Sequence, residues 1–132
     1  MLDVDHFKSF NDSHGHAAGD ALLVAIARAL QANTRGEDLV CRYGGEEFTV
    51  VLVDAAREDA LRRAEEIRSA LGAVVVQHLR QTLGPRSVSI GLAMLPDDGQ
   101  TPDTLLQQAD AALYRAKRAG RNRVVVATEA AR

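Results

Sequence analysis

A chain of 132 residues is the length of one domain, and with 46% apolar and 26% charged residues it is neither disordered nor collagen-like. A net charge of −2 excludes bulk binding of nucleic acid polymers, and the few aromatics (Phe7, Phe10, Phe48, Tyr43 and Tyr114) make no stacking platform. The longest apolar run, residues 21–27, is far short of the roughly 20 residues of a membrane span, residues 1–6 have no leader character, and the lone Cys41 excludes an internal disulfide or a Cys-based zinc site. The expected setting is cytoplasmic.

Met1 to Val4 reads as the end of a buried strand, with Asp3 and Asp5 on one face. His6 to Gly19 is polar and Gly-containing, and reads as a short helical turn plus loop. From Ala18 to Gln31, Leu22, Leu23, Ile26 and Leu30 have helical spacing, with Gly36 as the expected stop. Leu39 to Tyr43 and Phe48 to Val53 are short strands around Gly44-Gly45-Glu46-Glu47, where glycines tolerant of positive φ predict a hairpin. Arg57 to Leu71 predicts an amphipathic helix on Ala60, Ala64, Ile67 and Leu71. Ala73 to Gln77 and Ser87 to Leu95 predict strands joined through a polar stretch. Thr101-Pro102 opens a helix with its stripe at Leu105, Ala109, Ala112 and Ala116, ended by Gly120, and Arg123 to Ala127 closes as a strand. The order β-α-β-β-α-β(β)-α-β predicts one α+β domain over residues 1–132: a palm-like (ferredoxin-like, nucleotidyl cyclase type), mostly antiparallel sheet flanked by helices.

Three groups could carry chemistry. Asp3, Asp5, Glu46 and Glu47 would converge if the first strand lies beside the hairpin; hard oxygen ligands suit Mg²⁺ or Mn²⁺ shared with phosphates, or they are solvated turn acids. Gly44-Gly45 offers backbone N–H groups for close approach of a phosphate, or is only a tight turn. Lys117 and Arg121 share a helix face with Asp110 and Tyr114; they suit either the helix C-terminal dipole or a polyphosphate. His6, His14 and His16 lack a helical i,i+4 pair and make a weak zinc site, and Cys41 reads as a small buried hydrophobe.

Together these residues resemble the GGDEF domain, the diguanylate cyclase family. Arg42-Tyr43-Gly44-Gly45-Glu46-Glu47-Phe48 is the GGEEF form of its motif. Residues 2–12, residues 15–20, Ser89-Ile90-Gly91 and residues 109–122 match further family segments in order. The resemblance implies synthesis of cyclic di-GMP from two GTP across a homodimer, with release of two pyrophosphates and two Mg²⁺ (or Mn²⁺) per half-site. It implies Asp3, the Val4 carbonyl and Glu46 as metal ligands, and Glu46, assisted by Glu47, as the base for the 3′-hydroxyl. Asn11 and Asp20, with His16 nearby, would hold guanine; Gly44 and Gly45 would lie against phosphates; Lys8, Lys117 and Arg121 would neutralise them. Arg35 and Asp38 would form a product-inhibition site for cyclic di-GMP. The alternative is a non-catalytic module binding cyclic di-GMP through Arg35 and Asp38, or a GTP sensor; retention of Asp3, Lys8, Gly44, Gly45, Glu46 and Glu47 favours the enzyme. The expected departure is at the front, where the family's N-terminal helix, most of the first strand and an upstream sensor or receiver module are missing. The chain alone is therefore expected to be a weak or inactive cyclase of low stability.

Overall fold

A computed structural model describes residues 1–128. The elements run β1 (Leu2–Val4), α1 (Phe7–His14), α2 (His16–Ala32), β2 (Leu39–Arg42), β3 (Glu47–Val51), α3 (Arg57–Leu71), β4 (Val76–His78), β5 (Gln81–Leu83), β6 (Val88–Leu92), α4 (Pro102–Arg118) and β7 (Val124–Val126). Five strands form one sheet in the order β2-β3-β1-β6-β7, and β4 and β5 pair separately. All pairings are antiparallel except β6 with β7, which α4 connects as a crossover. The expected α+β, mostly antiparallel fold is the observed one.

Short β1 is the middle strand. Leu2 pairs with Phe48 of β3 on one side and with Ile90 of β6 on the other, and all three β1 residues are buried. Leu2 and Val4 join a core with Phe10, Leu22, Ile26 and Leu30, which come from α1 and α2, and with Ile67 and Leu71 of α3. The helical spacing of those side chains is what turns each helix onto the core.

The expected turn and loop after β1 is a helix pair. Phe7 and Phe10, three apart, are both buried and give α1 an apolar stripe despite its polar remainder. α1 starts without a side-chain cap, on His6 at φ 57°, and Gly15 at φ 90° separates it from α2. The stop of α2 is Asn33, whose Nδ2 donates to the Ala29 carbonyl at 2.7 Å; Gly36 lies beyond the helix. The hairpin also differs: neither Gly44 nor Gly45 has positive φ, and the loop is instead tied by Tyr43 N–H to the Glu47 carbonyl at 2.8 Å. Cys41 is exposed because β2 is an edge strand, correcting the buried reading. β5 went unread because Gln81-Thr82-Leu83 has a single apolar residue.

Candidate active site

At one end of the sheet a cleft of about 420 Å³ opens between the end of β1, the first turn of α1, the β2–β3 hairpin and the end of α4. Asp3, Val4, Lys8, Glu46, Lys117 and Arg121 line it. Residues more than a hundred positions apart meet here because β1 runs between β3 and β6, and α4 lies over β6.

Lys117 donates to Asp3 Oδ2 at 2.6 Å. Burial pushes the Asp3 carboxyl up; the Lys117 hydrogen bond and charge pull it back, and the Asp5 charge pushes it up again. Glu46 is half-buried, and its carboxyl is raised by burial first and then by the Asp3 charge. The Glu46 carbonyl accepts the Val4 N–H at 3.3 Å, which fixes the hairpin to the strand end. The Asp3 charge thus disfavours that of Glu46, and the two carboxylates share the cleft with Lys8, Lys117 and Arg121. Lys117 is in α4, but Arg121 lies past the helix end and reaches the cleft from the following turn.

The other expected residues stand around this centre. Glu47 opens β3 opposite Asp3 in register. Gly44 and Gly45 are exposed, and the Arg42 guanidinium donates to their carbonyls at 3.2 and 2.6 Å, leaving the loop's other side open. Asn11, His16 and Asp20 belong to the α1–α2 pair rather than to the cleft wall. Asn11 Oδ1 is buried without a partner, and it occupies the space beside Gly19, where a Cβ would lie 1.7 Å from it. Gly19 is therefore what lets the Asn11 carboxamide sit at the helix crossing, next to exposed Asp20.

Arg35 and Asp38 lie apart from the cleft, between α2 and β2. Arg35 is exposed. The Asp38 side chain is buried, accepts the Arg35 N–H at 2.8 Å and the Val53 N–H at 3.2 Å, and pairs with Arg63 of α3. Its carboxylate is thus engaged within the fold. Sequence reading missed Arg63, Arg42 and the partners of Asp5; the only local signal was a polar Ser87-x-Ser89 alternation in an otherwise apolar strand. His14 packs its ring edge-on against Phe10 at 4.8 Å. Among the described residues no three His, Cys, Asp or Glu side chains form a closed metal cage, and no helix is long and apolar enough to cross a membrane. A second, apolar cleft of about 380 Å³ lies at the opposite end of β1, away from the Glu46 carboxylate and the Lys117 and Arg121 cations.

The family model described as diguanylate cyclase, GGDEF domain, matches residues 1–123. The response regulator PleD of Caulobacter vibrioides is 46% identical over 127 residues, which are 95% of this chain and 28% of PleD. Diguanylate cyclase DosC of Escherichia coli is 44% identical, over 94% of this chain and 27% of DosC. The chain thus spans under a third of the length of these curated relatives. Among solved structures, the GGDEF domain of YfiN (TpbB) from Pseudomonas aeruginosa superimposes with a TM-score of 0.90 at 41% identity, covering 96% of this chain and 73% of that one. The GGDEF domain of DgcB from Caulobacter crescentus, solved in complex with c-di-GMP, gives 0.87 at 37% identity, over 96% and 75%. Sequence and fold agree along nearly the whole length, and the chain belongs to the GGDEF domain family.

Proposed function

We propose that this chain is a diguanylate cyclase domain, each copy holding one GTP, with two copies meeting as a homodimer to form cyclic di-GMP and two pyrophosphates. The observation that carries this reading is the cleft in which Asp3 and Glu46 stand opposite Lys8, Lys117 and Arg121. Cations for a triphosphate beside carboxylates for divalent ions are what nucleotidyl transfer requires.

The donor set suits Mg²⁺ or Mn²⁺, two per half-site. The Asp3 and Glu46 carboxylates and the Val4 carbonyl are hard oxygens, and both carboxyls are raised, a strain that positive charge between them relieves. Divalent ions held there supply charge against the negative charge that builds on the α-phosphate. Glu46 is the proposed proton acceptor for the attacking 3′-hydroxyl, with Glu47 beside it. Lys8, Lys117 and Arg121 hold the phosphates, and Gly44 and Gly45 leave room for their oxygens. Asn11 and Asp20, flanked by His16, read the guanine edge, Asp20 accepting from its N–H groups. GTP supply places this activity in the cytoplasm. Arg35 with Asp38 is the proposed site for inhibition by cyclic di-GMP. A receptor using only that pair has less support, because the Asp38 carboxylate already serves Arg63 and two backbone amides.

The test is cyclic di-GMP formation from GTP and Mg²⁺ by the chain dimerised through a fused two-stranded coiled coil. Glu46→Gln keeps the shape and removes the charge. Turnover is expected to fall by about 10²–10⁴-fold with circular dichroism unchanged. Near-parental turnover would overturn the assignment of Glu46.

A further inference from the structure

We propose that Asp5 is the positioning residue for the phosphate side of the cleft, acting through the turn that carries Arg121. The proposal rests on reading the cleft as a nucleotide site.

Asp5 follows β1 and is 2% exposed, yet it forms no ion pair among the described residues. A buried carboxylate without a cation is unfavourable unless its lone pairs are all used. Here the donors are neutral and come from distant segments: Ser87 Oγ to Oδ2 and Ser89 Oγ to Oδ1, each at 2.7 Å, and the Asn122 N–H to Oδ2 at 3.0 Å. Asp5 thereby ties the metal-facing strand end and β6 to the turn after α4.

That turn needs a tie. α4 ends in a Schellman arrangement, with Arg121 N–H to the Ala116 carbonyl at 3.0 Å and Gly120 N–H to the Lys117 carbonyl at 3.4 Å. Gly120, Arg121 and Asn122 then have φ of 125°, 65° and 49°, two non-glycine residues in succession in the left-handed region. The Asn122 N–H is turned away from the helix carbonyls and goes to Asp5. The Asn122 side chain is held as well, its Oδ1 accepting from Arg68 of α3 at 2.7 Å. Arg121 is thus fixed between the helix end and a pinned Asn122, and its side chain lines the cleft with Lys117 and Lys8. An asparagine at position 5 can turn its NH₂ group to Ser89, whose hydroxyl rotates to accept it, and keep its carbonyl for the Asn122 N–H, so that change spares the pin. An alanine removes both acceptors and leaves the Asn122 N–H without one. Loosening the turn frees the Arg121 guanidinium and weakens the hold on phosphates while leaving the base-reading residues on α1 and α2 untouched.

Binding is measured by calorimetry for wild type, Asp5→Ala, Arg121→Ala and the double variant. The ligands are a GTP analogue with a methylene bridge between the α- and β-phosphorus atoms, which cannot be cyclised, and GMP. Asp5→Ala is expected to weaken the triphosphate analogue about tenfold and leave GMP unchanged, and the double variant should be no weaker than Arg121→Ala alone. Hydrogen exchange at the ligand-free Asn122 amide should speed up in Asp5→Ala. Equal weakening of both ligands, losses that multiply in the double variant, or an unchanged Asn122 amide would each overturn the proposal. If Asp5→Ala fails to fold, Ser89→Ala, which keeps the carboxylate, should show the same selective loss more weakly, and no selective loss would overturn it. A wild-type chain that binds neither ligand, with the Asn122 amide still loosened by Asp5→Ala, would reject the nucleotide reading and leave the pin standing.

Discussion

Two aspartates illustrate how one residue type is set to opposite tasks by its surroundings. Asp3 keeps a raised carboxyl because burial outweighs the single Lys117 partner beside it. Asp38 is also pushed up by burial, but the Arg63 guanidinium and the N–H groups of Arg35 and Val53 win and hold it at about 2. The folded value lies below the unfolded one. The stability this pair contributes is therefore present above the unfolded carboxyl range near 4 and is lost as the pH falls toward 2. Arg63→Met strands a buried carboxylate and is expected to cost about 3–5 kcal/mol at neutral pH. The gap between variant and wild type should narrow as the pH falls through 4, since protonation removes the wild-type advantage and relieves the variant. Urea unfolding at pH 7 and near pH 3 measures this, and a pH-independent gap would show that the pair is not the source. None of this pairing was legible in the sequence. Arg63 lies 25 positions from Asp38 on a helix whose charged residues otherwise face solvent, and Lys117 lies 114 positions from Asp3. The types of residue lining the candidate cleft were legible; their partners depend on register across the sheet.

At the scale of elements, legibility followed periodicity. α3 was delimited residue for residue, because Ala60, Ala64, Ile67 and Leu71 keep one stripe and all are buried. α4 was bounded by its cap chemistry: Thr101 Oγ accepts the Thr104 N–H at 3.2 Å, and Pro102 stands at the first turn. α1 was hidden because a helix of eight residues shows only two buried side chains and lacks a capping side chain. Gly91 was visible as part of Ser89-Ile90-Gly91, but its reason was not. A Cβ there would lie 2.1 Å from the Ala109 carbonyl oxygen and 2.3 Å from the Leu113 nitrogen of α4. Those are backbone atoms of a helix and cannot step aside as a side chain can, so α4 rests on β6 only because the strand has no side chain at that point. Gly91→Ala is expected to cost about 3 kcal/mol or more and to lower Tm by roughly 10 °C. It should also reduce nucleotide affinity, since α4 carries Lys117 and leads to Arg121. Scanning calorimetry decides the first point, and an unchanged Tm would mean that the helix can lift from the sheet without penalty.

Over the whole molecule, the central strand is the shortest member of its neighbourhood. β1 pairs through Leu2, Asp3 and Val4, and Met1 adds a two-way backbone bond with Gly91 of β6 at 2.8 and 2.9 Å, whereas the ends of β3 at Val51 and of β6 at Leu92 lie beyond it. The facing edges of β3 and β6 therefore flank a slot one strand wide, and the apolar cleft of about 380 Å³ lies there, with Leu2, Val50, Ile67, Leu92, Leu106 and Ala109 among its walls. Strand edges beyond the Met1–Gly91 pair, beside apolar walls, favour pairing with an added strand, in cis or from another chain. Each large apolar side chain fully buried in such a slot is worth about 1.5–3 kcal/mol, against an ordering cost of about 1–2 kcal/mol per residue fixed. Ladder hydrogen bonds to both neighbours add to the gain. Extending the chain ahead of Met1 by four or five residues of alternating apolar and polar character should therefore raise Tm by roughly 5 °C. It should also steady Asp3 and Val4 at the other end of the same strand, so cyclic di-GMP formation should rise with stability. The control is an extension of equal length made of Gly and Ser, which can pair but fills nothing. Equal Tm for the two extensions would show that the walls of the slot gain nothing from being covered, and a higher Tm without higher turnover would separate the stability of β1 from its service to the active cleft.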